Sequence, residues 1–415
     1  MNDIRRTILW VIFGFSMVLL WDKWQLHNGN KATFFPSPAA VGAAAPAAGA
    51  SAPLAGAASV PASTAPAVAS IGASAVPGTP APAAPAAREK IEVTTDVYRL
   101  TFDGEGGSLV HAELLKHADM TDKAKNFVLF DESTQRVYAA QTGLIGGSFP
   151  THKTVMTAVP GPRSLKDGEN ELTIRFESPE QGGVKLVKTW TLKRGAYDIA
   201  VKHEVVNVGS TAVSPQLYLQ LVRDGNKPPG ESSFYSTFTG PAVYTDAKKY
   251  QKIEFKDIEN GKVDIPKESP NGYVAMVQHY FASAWLLADG VQRELFTRKV
   301  SDNLYSVGMI TPLGNIDPGT TKVVDARLFA GPQVETMMEK LYPGLELVKD
   351  YGWLTILSKP LYWLLDQLHK LLGNWGWSIV ALVLLLKIAF YWLNAKAYAS
   401  MAKMKAINPK IMELR

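Results

Sequence analysis

One lysine sits inside an oily run, "LLLKIAF" at residues 384–390. At the centre of a membrane-crossing helix a lysine costs roughly 2.5–3.5 kcal/mol, so Lys387 demands an account. Two readings are open. In the first, the flexible stem carries the ammonium toward the cytoplasmic headgroups, most of the ~10 Å of helix that separates Lys387 from Asn394. In the second, the ammonium lines a water-filled cavity open to the cytoplasm, where it attracts the carboxylates of a passing polypeptide.

The remaining chemistry-bearing residues form no recognisable constellation. His203 falls on the apolar face of an alternating segment, the place of a core histidine with a satisfied ring. His111, His117, His152 and His279 show no metal-ligand spacing, and "GEGG" at 104–107 lacks the strand–turn–helix setting of a phosphate loop, so it is expected to be a turn. There is no nucleophile elbow and no Walker sequence. The chain has no cysteine, which excludes disulfides, thiol catalysis and thiolate metal sites. With 43 basic and 38 acidic side chains its net charge is +5, spread along 415 residues, which gives no footprint for nucleic acid. Neither catalysis nor a cofactor or metal is expected.

The surrounding elements explain how Lys387 is carried. "MNDIRRTILWVIFGFSMVLLWDKWQ" opens with Arg5 and Arg6 before an apolar stretch from Ile8 to Trp21. Small residues follow too far downstream for ordinary signal cleavage, so residues 1–30 are expected to remain as a transmembrane anchor with a cytoplasmic N-terminus. Residues 31–88 read as a disordered tether. Pro36 to Ala87 contains no charge and few large side chains, too little apolar area to offset chain entropy. As a coil it spans ~40 Å.

Residues 89–345 change period to two. In "TDVYRLTFD", Tyr98, Leu100 and Phe102 share a face opposite Arg99, Thr101 and Asp103. In "YDIAVKHEVVN", Tyr197, Ile199, Val201 and Val205 oppose Asp198, Lys202 and Glu204. "QLYLQL" and "VVDARLF" alternate likewise, with turns at "DGEGG", "LKRGAY" and "NVGS". Many short strands predict a large antiparallel β-sandwich.

At 346–373 the helical period returns. Leu354, Leu357, Leu361, Leu364, Leu368 and Leu371 recur at spacings of three and four, against Thr355, Ser358, Lys359, Asp366, Gln367 and Lys370. Pro360 is expected to kink or restart this helix, which either packs on the β-domain or lies flat in a membrane interface, its tryptophans and the span that follows favouring the interface. Trp375 to Asn394 then supplies twenty residues with one charge, ~30 Å of helix, enough to cross the hydrocarbon layer. A second transmembrane helix is therefore expected over 374–395. Residues 396–415 begin a basic helical region, with Lys396, Lys403, Lys405, Lys410 and Arg415 against Glu413. Positive charge places this end in the cytoplasm. Both termini are then inside and the β-domain outside. The chain stops within this segment, at neither a cap nor a domain edge, so a truncated product is expected.

The run "DYGWLTILSKPLYWLLDQLHKLLGNWGWSIVALVLLLKIAFYWLNAKAYASMAKMKAINPKI" resembles the start of the conserved core of the YidC/Oxa/Alb family of membrane protein insertases. "IEVTTDVYRLTFDGEGGSLVHAELLKH", "KTWTLKRGAYDI" and "NGYVAMVQHYFASAW" resemble the periplasmic domain of its Gram-negative members. The resemblance implies a β-supersandwich similar to galactose mutarotases and an inner-membrane chaperone that is not an enzyme. It implies a hydrophilic groove carrying a cation, usually arginine, where this chain has Lys387. The implied partners are nascent integral membrane proteins, the lipid bilayer, the Sec translocon with its accessory subunits, and the ribosome for a full-length member. The remaining core helices would lie beyond Arg415, so truncation after the second transmembrane helix is part of the expectation. The rival reading is a membrane-anchored periplasmic carbohydrate-binding or mutarotase-like protein, which would need a His/Glu/Asp cluster in a concave face.

Overall fold

The computed structural model describes residues 89–413, apart from 229, 231–236 and 353–354, together with Ser16; at 393 and 405–413 it describes the backbone only. The chain divides into two units, Met1–Thr79 and Pro80–Arg415. The anchor and tether expected over 1–30 and 31–88 lie outside the described residues, Ser16 excepted.

Alternation of apolar and polar side chains becomes eighteen strands among the described residues. They are β1 (Lys90–Thr94), β2 (Tyr98–Asp103), β3 (Ser108–Ala118), β4 (Asn126–Glu132), β5 (Val137–Ile145), β6 (Thr157–Ala158), β7 (Glu171–Glu177), β8 (Val184–Lys193) and β9 (Asp198–Asn207). The second half contributes β10 (Gln216–Asp224), β11 (Gly240–Thr245), β12 (Lys249–Lys252), β13 (Glu268–Ser269), β14 (Tyr273–Gln278), β15 (Phe281–Leu287), β16 (Arg293–Ser301), β17 (Leu304–Pro312) and β18 (Thr321–Pro332). They form two nine-stranded sheets, β1-β2-β3-β4-β5-β10-β17-β16-β13 and β12-β11-β14-β15-β18-β9-β8-β7-β6. The pairings within both are antiparallel, as the sandwich expectation requires.

The alternation holds on β2 and β9, whereas β11, β14 and β15 are buried at every position. Tyr98, Leu100 and Phe102 are buried on β2, as are Ile199, Val201 and Val205 on β9. Asp103 departs from it: it is buried on its polar face, where its Oδ1 accepts from the Glu105 N–H at 2.8 Å. Between the sheets Trp190 lies 5.1 Å from Phe102 and 6.1 Å from Trp285, ring centre to ring centre. The polar tips of buried aromatics bond across the sandwich. Tyr98 donates to the Tyr197 and Ala330 carbonyls, and the Trp285 indole donates to the Gln220 carbonyl at 3.0 Å.

Small residues are required where the first sheet is crowded. A Cβ added to Gly308 on β17 would stand 2.5 Å from Cζ of Phe296 and 2.7 Å from the Leu219 carbonyl oxygen. Gly308→Ala is therefore expected to lower the unfolding free energy by about 1–3 kcal/mol through overpacking. Denaturant titration would show the midpoint fall; an unchanged midpoint would mean that both the ring and the Leu219 strand yield without cost.

Five helices complete the described fold. Short α1 (Phe255–Glu259) lies between β12 and β13, and α2 (Glu335–Leu341) follows β18. A 3-10 turn over Leu345–Val348 sinks Leu345 and Val348 into the core. The amphipathic helix α3 (Thr355–Leu372) runs through Pro360 without interruption, so the expected restart there does not occur. Gly373, at φ +65, ends it. Asn374 then caps α4 (Trp375–Ala389), its side-chain oxygen accepting from the Trp377 N–H at 3.2 Å. α5 (Tyr391–Glu413) follows after a break at Phe390.

That break corrects the expected helix over 374–395. α4 has 15 residues, about 22 Å of rise against a hydrocarbon layer of about 30 Å. Among the described residues no single helix is long and apolar enough to cross a membrane. Trp375–Ala389 and Asn394–Met404 pass that test only together, as a pair bent by 55°. The bend falls at the first of three successive aromatics, Phe390, Tyr391 and Trp392, where the apolar run meets Asn394 and Lys396.

Candidate functional site

α4 presents two unlike faces. Ser378, Ala381, Leu382 and Leu386 are its more buried positions, and α4 packs against α3. Val380, Val383, Leu384 and Lys387 recur at spacings of three and four on an exposed face. Lys387 sits in the last turn of α4, where the carbonyl end of a helix favours a cation. It makes no hydrogen bond or ion pair with any described residue. The ammonium is thus displayed at the edge of an apolar surface, with three N–H donors available to a carboxylate.

The hairpin carrying it is held locally. The His369 ring stacks on Trp375 at 3.8 Å and 9°. The Ser378 hydroxyl donates to the Asn374 carbonyl at 2.7 Å. Lys370 pairs with Asp366 one turn earlier at 2.7 Å.

The β-domain histidines are not brought together as a catalytic group. His203 is fully buried, with Nε2 3.0 Å from the Thr142 hydroxyl and a backbone bond to Val324 on the neighbouring strand. Burial, with Lys188 nearby, pushes its pKa down to about 3. His152 has Nδ1 2.5 Å from the Tyr218 hydroxyl, which also accepts the His152 backbone N–H. Burial and Lys188 take its pKa down to about 4. Both rings are therefore neutral at pH 7. His117 bonds the Tyr197 hydroxyl at 3.1 Å, and His279 that of Thr237 at 2.8 Å. His111 lies 3.7 Å from Asp131 at the surface. No group of three or more metal-ligating side chains occurs among the described residues. "GEGG" is a turn with Gly106 at φ +72 and Gly107 at φ +55, and it opens on no helix.

A cleft of about 640 Å³ lies over the first sheet, lined in part by Glu105, Glu132, Gln141, His152, Lys153 and Arg298. Its side chains mix both charges and present no base paired with a nucleophile. One feature beneath it escaped the sequence reading. Lys188 on β8 is wholly buried, and its Nζ donates to the Gly106 and Thr142 carbonyls at 2.6 and 2.7 Å. Burial lowers its pKa to about 7. The signal was present, since Lys188 has the same parity as the inward-facing Leu186 and Trp190.

Comparison with known proteins supplies the family. The pattern described as the YidC periplasmic domain matches residues 90–364, and that described as 60Kd inner membrane protein matches 367–415. The membrane protein insertase YidC of Janthinobacterium sp. (strain Marseille) is 49 % identical over 415 residues, covering all of this chain and 72 % of that protein. The one from Cupriavidus necator is 51 % identical over 413 residues, covering all of this chain and 73 % of that protein. These relatives are named as insertases and not as enzymes. Among solved structures, a galactose mutarotase-like protein from Lactobacillus casei covers 58 % of this chain at 11 % identity and TM-score 0.36, a likeness too slight to bear on chemistry. With one family pattern over most of the β-domain, a second over the helices, and half of all residues shared with relatives along its whole length, the chain belongs to the YidC family of membrane protein insertases.

Proposed function

We propose that this protein inserts and folds integral membrane proteins in the bacterial inner membrane, alone or with the Sec translocon. In this reading the chain crosses the membrane more than once, with both termini cytoplasmic and the β-domain periplasmic. Lys387 is the cation of a hydrophilic groove. The observation that carries the reading is identity near one half along the whole chain to proteins named as insertases. The exposed ammonium on an otherwise uncharged helix supports the role given to Lys387.

Insertion proceeds here without nucleotide hydrolysis. A wetted groove shortens the apolar path that a polar, exported segment must cross. A carboxylate 4 Å from the ammonium gains roughly 1 kcal/mol in bulk water but roughly 4 kcal/mol at an effective dielectric constant of 20. The hold is strong enough to delay the segment and weak enough to release it. Burial of the substrate's own span in lipid, at about 25 cal/mol per Å², drives that release. α3 braces the groove from the periplasmic side.

Replacing Lys387 by Ala and by Arg tests this. Lys387→Ala is expected to slow insertion of substrates with acidic exported tails several-fold and to spare neutral-tailed ones. Lys387→Arg keeps the charge and should retain most activity. If the Ala variant inserts acidic-tailed substrates as fast as the parent, the electrostatic role is wrong.

A further inference from the structure

We infer that Glu335, on the β-domain, is a positioning residue for insertion: it locks the rotation and attitude of α3 against the sandwich. The role in insertion rests on the function proposed above; the lock itself does not. Glu335 is the first residue of α2, and its side chain is only 17 % exposed. Both carboxylate oxygens are engaged. Oε2 accepts from the Tyr351 hydroxyl at 2.8 Å, and Oε1 lies 3.5 Å from the Lys359 ammonium of α3. Beside this pair the Lys349 ammonium stands 3.8 Å over the Tyr362 ring of α3 and 5.3 Å over Tyr351.

Glu335 and two side chains of the segment that follows the 3-10 turn, Lys349 and Tyr351, therefore converge on two α3 positions that are three residues apart and share a face. Lys349 and Tyr351 are themselves fixed to the sandwich. The preceding 3-10 turn buries Leu345 and Val348, and Asp350, between Lys349 and Tyr351, pairs with Lys252 on β12. Asp366 and Lys370 continue the same polar stripe along α3. A slip of one residue turns the helix by about 100° and puts Ser358 or Pro360 where Lys359 now meets the carboxylate. With the lock closed, Ile356, Trp363 and Leu371 are left at 91, 63 and 80 % exposure. An isolated exposed ion pair contributes little, but here one carboxylate serves both a phenol and an ammonium, and a stacked cation lies beside them.

The absence of cysteine allows paired spin labels at Thr336 and Leu371 without background. Distances between them are measured on this 415-residue chain in lipid nanodiscs. Glu335→Lys should broaden the distance distribution and slow insertion several-fold, while the thermal transition of the β-domain stays in place. Combining it with Lys359→Glu restores the pair in reverse and should recover both the narrow distribution and the rate. Glu335→Gln, which keeps the shape and removes the charge, should fall between. A distribution unmoved by Glu335→Lys, or one left broad by the double exchange, overturns the lock. A broadened distribution with undiminished insertion overturns the positioning role. Insertion by none of the chains, the parent included, counts against the proposed function and leaves the distance test standing.

Discussion

Acidification from pH 6.5 to pH 3.5 is expected to cost the β-domain about 4 kcal/mol through His203 alone, at about 1.4 kcal/mol per pH unit. The sign follows from where the protons sit. In the unfolded chain His203 titrates near its ordinary value of 6.5, whereas in the fold burial lowers it to about 3. Between these values the unfolded state holds a proton that the native state refuses, so stability is intact above pH 6.5 and drains as the pH falls toward 3. His152, lowered to about 4, acts in the same direction, with a smaller effect because its ring is partly in contact with solvent. Lys188 extends the trend upward. Its pKa of about 7 against an ordinary 10.5 means that stability also climbs from pH 7 toward 10.5. Urea titrations followed by tryptophan emission from Trp190 and Trp285 would give the slope. Replacing His203 by Leu should remove about one proton's worth of it. A curve flat between pH 6.5 and 4 would show that the buried ring finds a proton-accepting environment.

The fold was legible to the extent that its signal was local. Alternation in "YRLTFD" and "DIAVKHEVVN" gave both the strands and their inward faces, because one side of each strand must be apolar. The pairing order was not legible. β5 pairs with β10 and β10 with β17, across separations that leave no trace in the period of any one strand. Lys188 lies between these cases: its parity announces burial, yet its acceptors are backbone carbonyls of Gly106 and Thr142, which no side-chain pattern records.

The site divides in the same way. Lys387 stands out because a charge within an apolar run is conspicuous at any register. The break at Phe390 does not, since neither glycine nor proline marks it and the apolar run continues past it. Reading the composition of residues 375–394 as one straight helix overestimated the element by five residues. The contacts of Glu335 with Lys359 and Tyr351 were equally hidden. Each partner is an ordinary surface residue in its own segment, and only the fold brings the three segments to one point.

Arg293 shows what such long-range contacts contribute, and its removal is expected to lower stability by about 3 kcal/mol or more. The residue is 1 % exposed at the start of β16. Its guanidinium faces backbone carbonyls: Nε donates to Val291 at 2.9 Å, Nη1 to Gly272 at 2.7 Å and Nη2 to Ala288 at 2.6 Å, with Pro270 and Leu287 more distant at 3.3 and 3.5 Å. One planar fork thus satisfies the turn before β14 and the turn between β15 and β16. Gly272 is held from its other side as well, its N–H donating to the Tyr342 hydroxyl at 2.9 Å, so the same cluster ties the sheet to the end of α2. Arg293→Met would fill most of the volume and leave these acceptors unpaired, each costing about 1–3 kcal/mol where water cannot reach. Arg293→Lys supplies three donors from one point instead of five spread over a plane, and should recover only part of the loss. Denaturant titration should show both midpoints falling at constant slope, with Met below Lys. A lysine variant as stable as the parent would mean that the planar fork is dispensable and that a single buried cation suffices to close the turns.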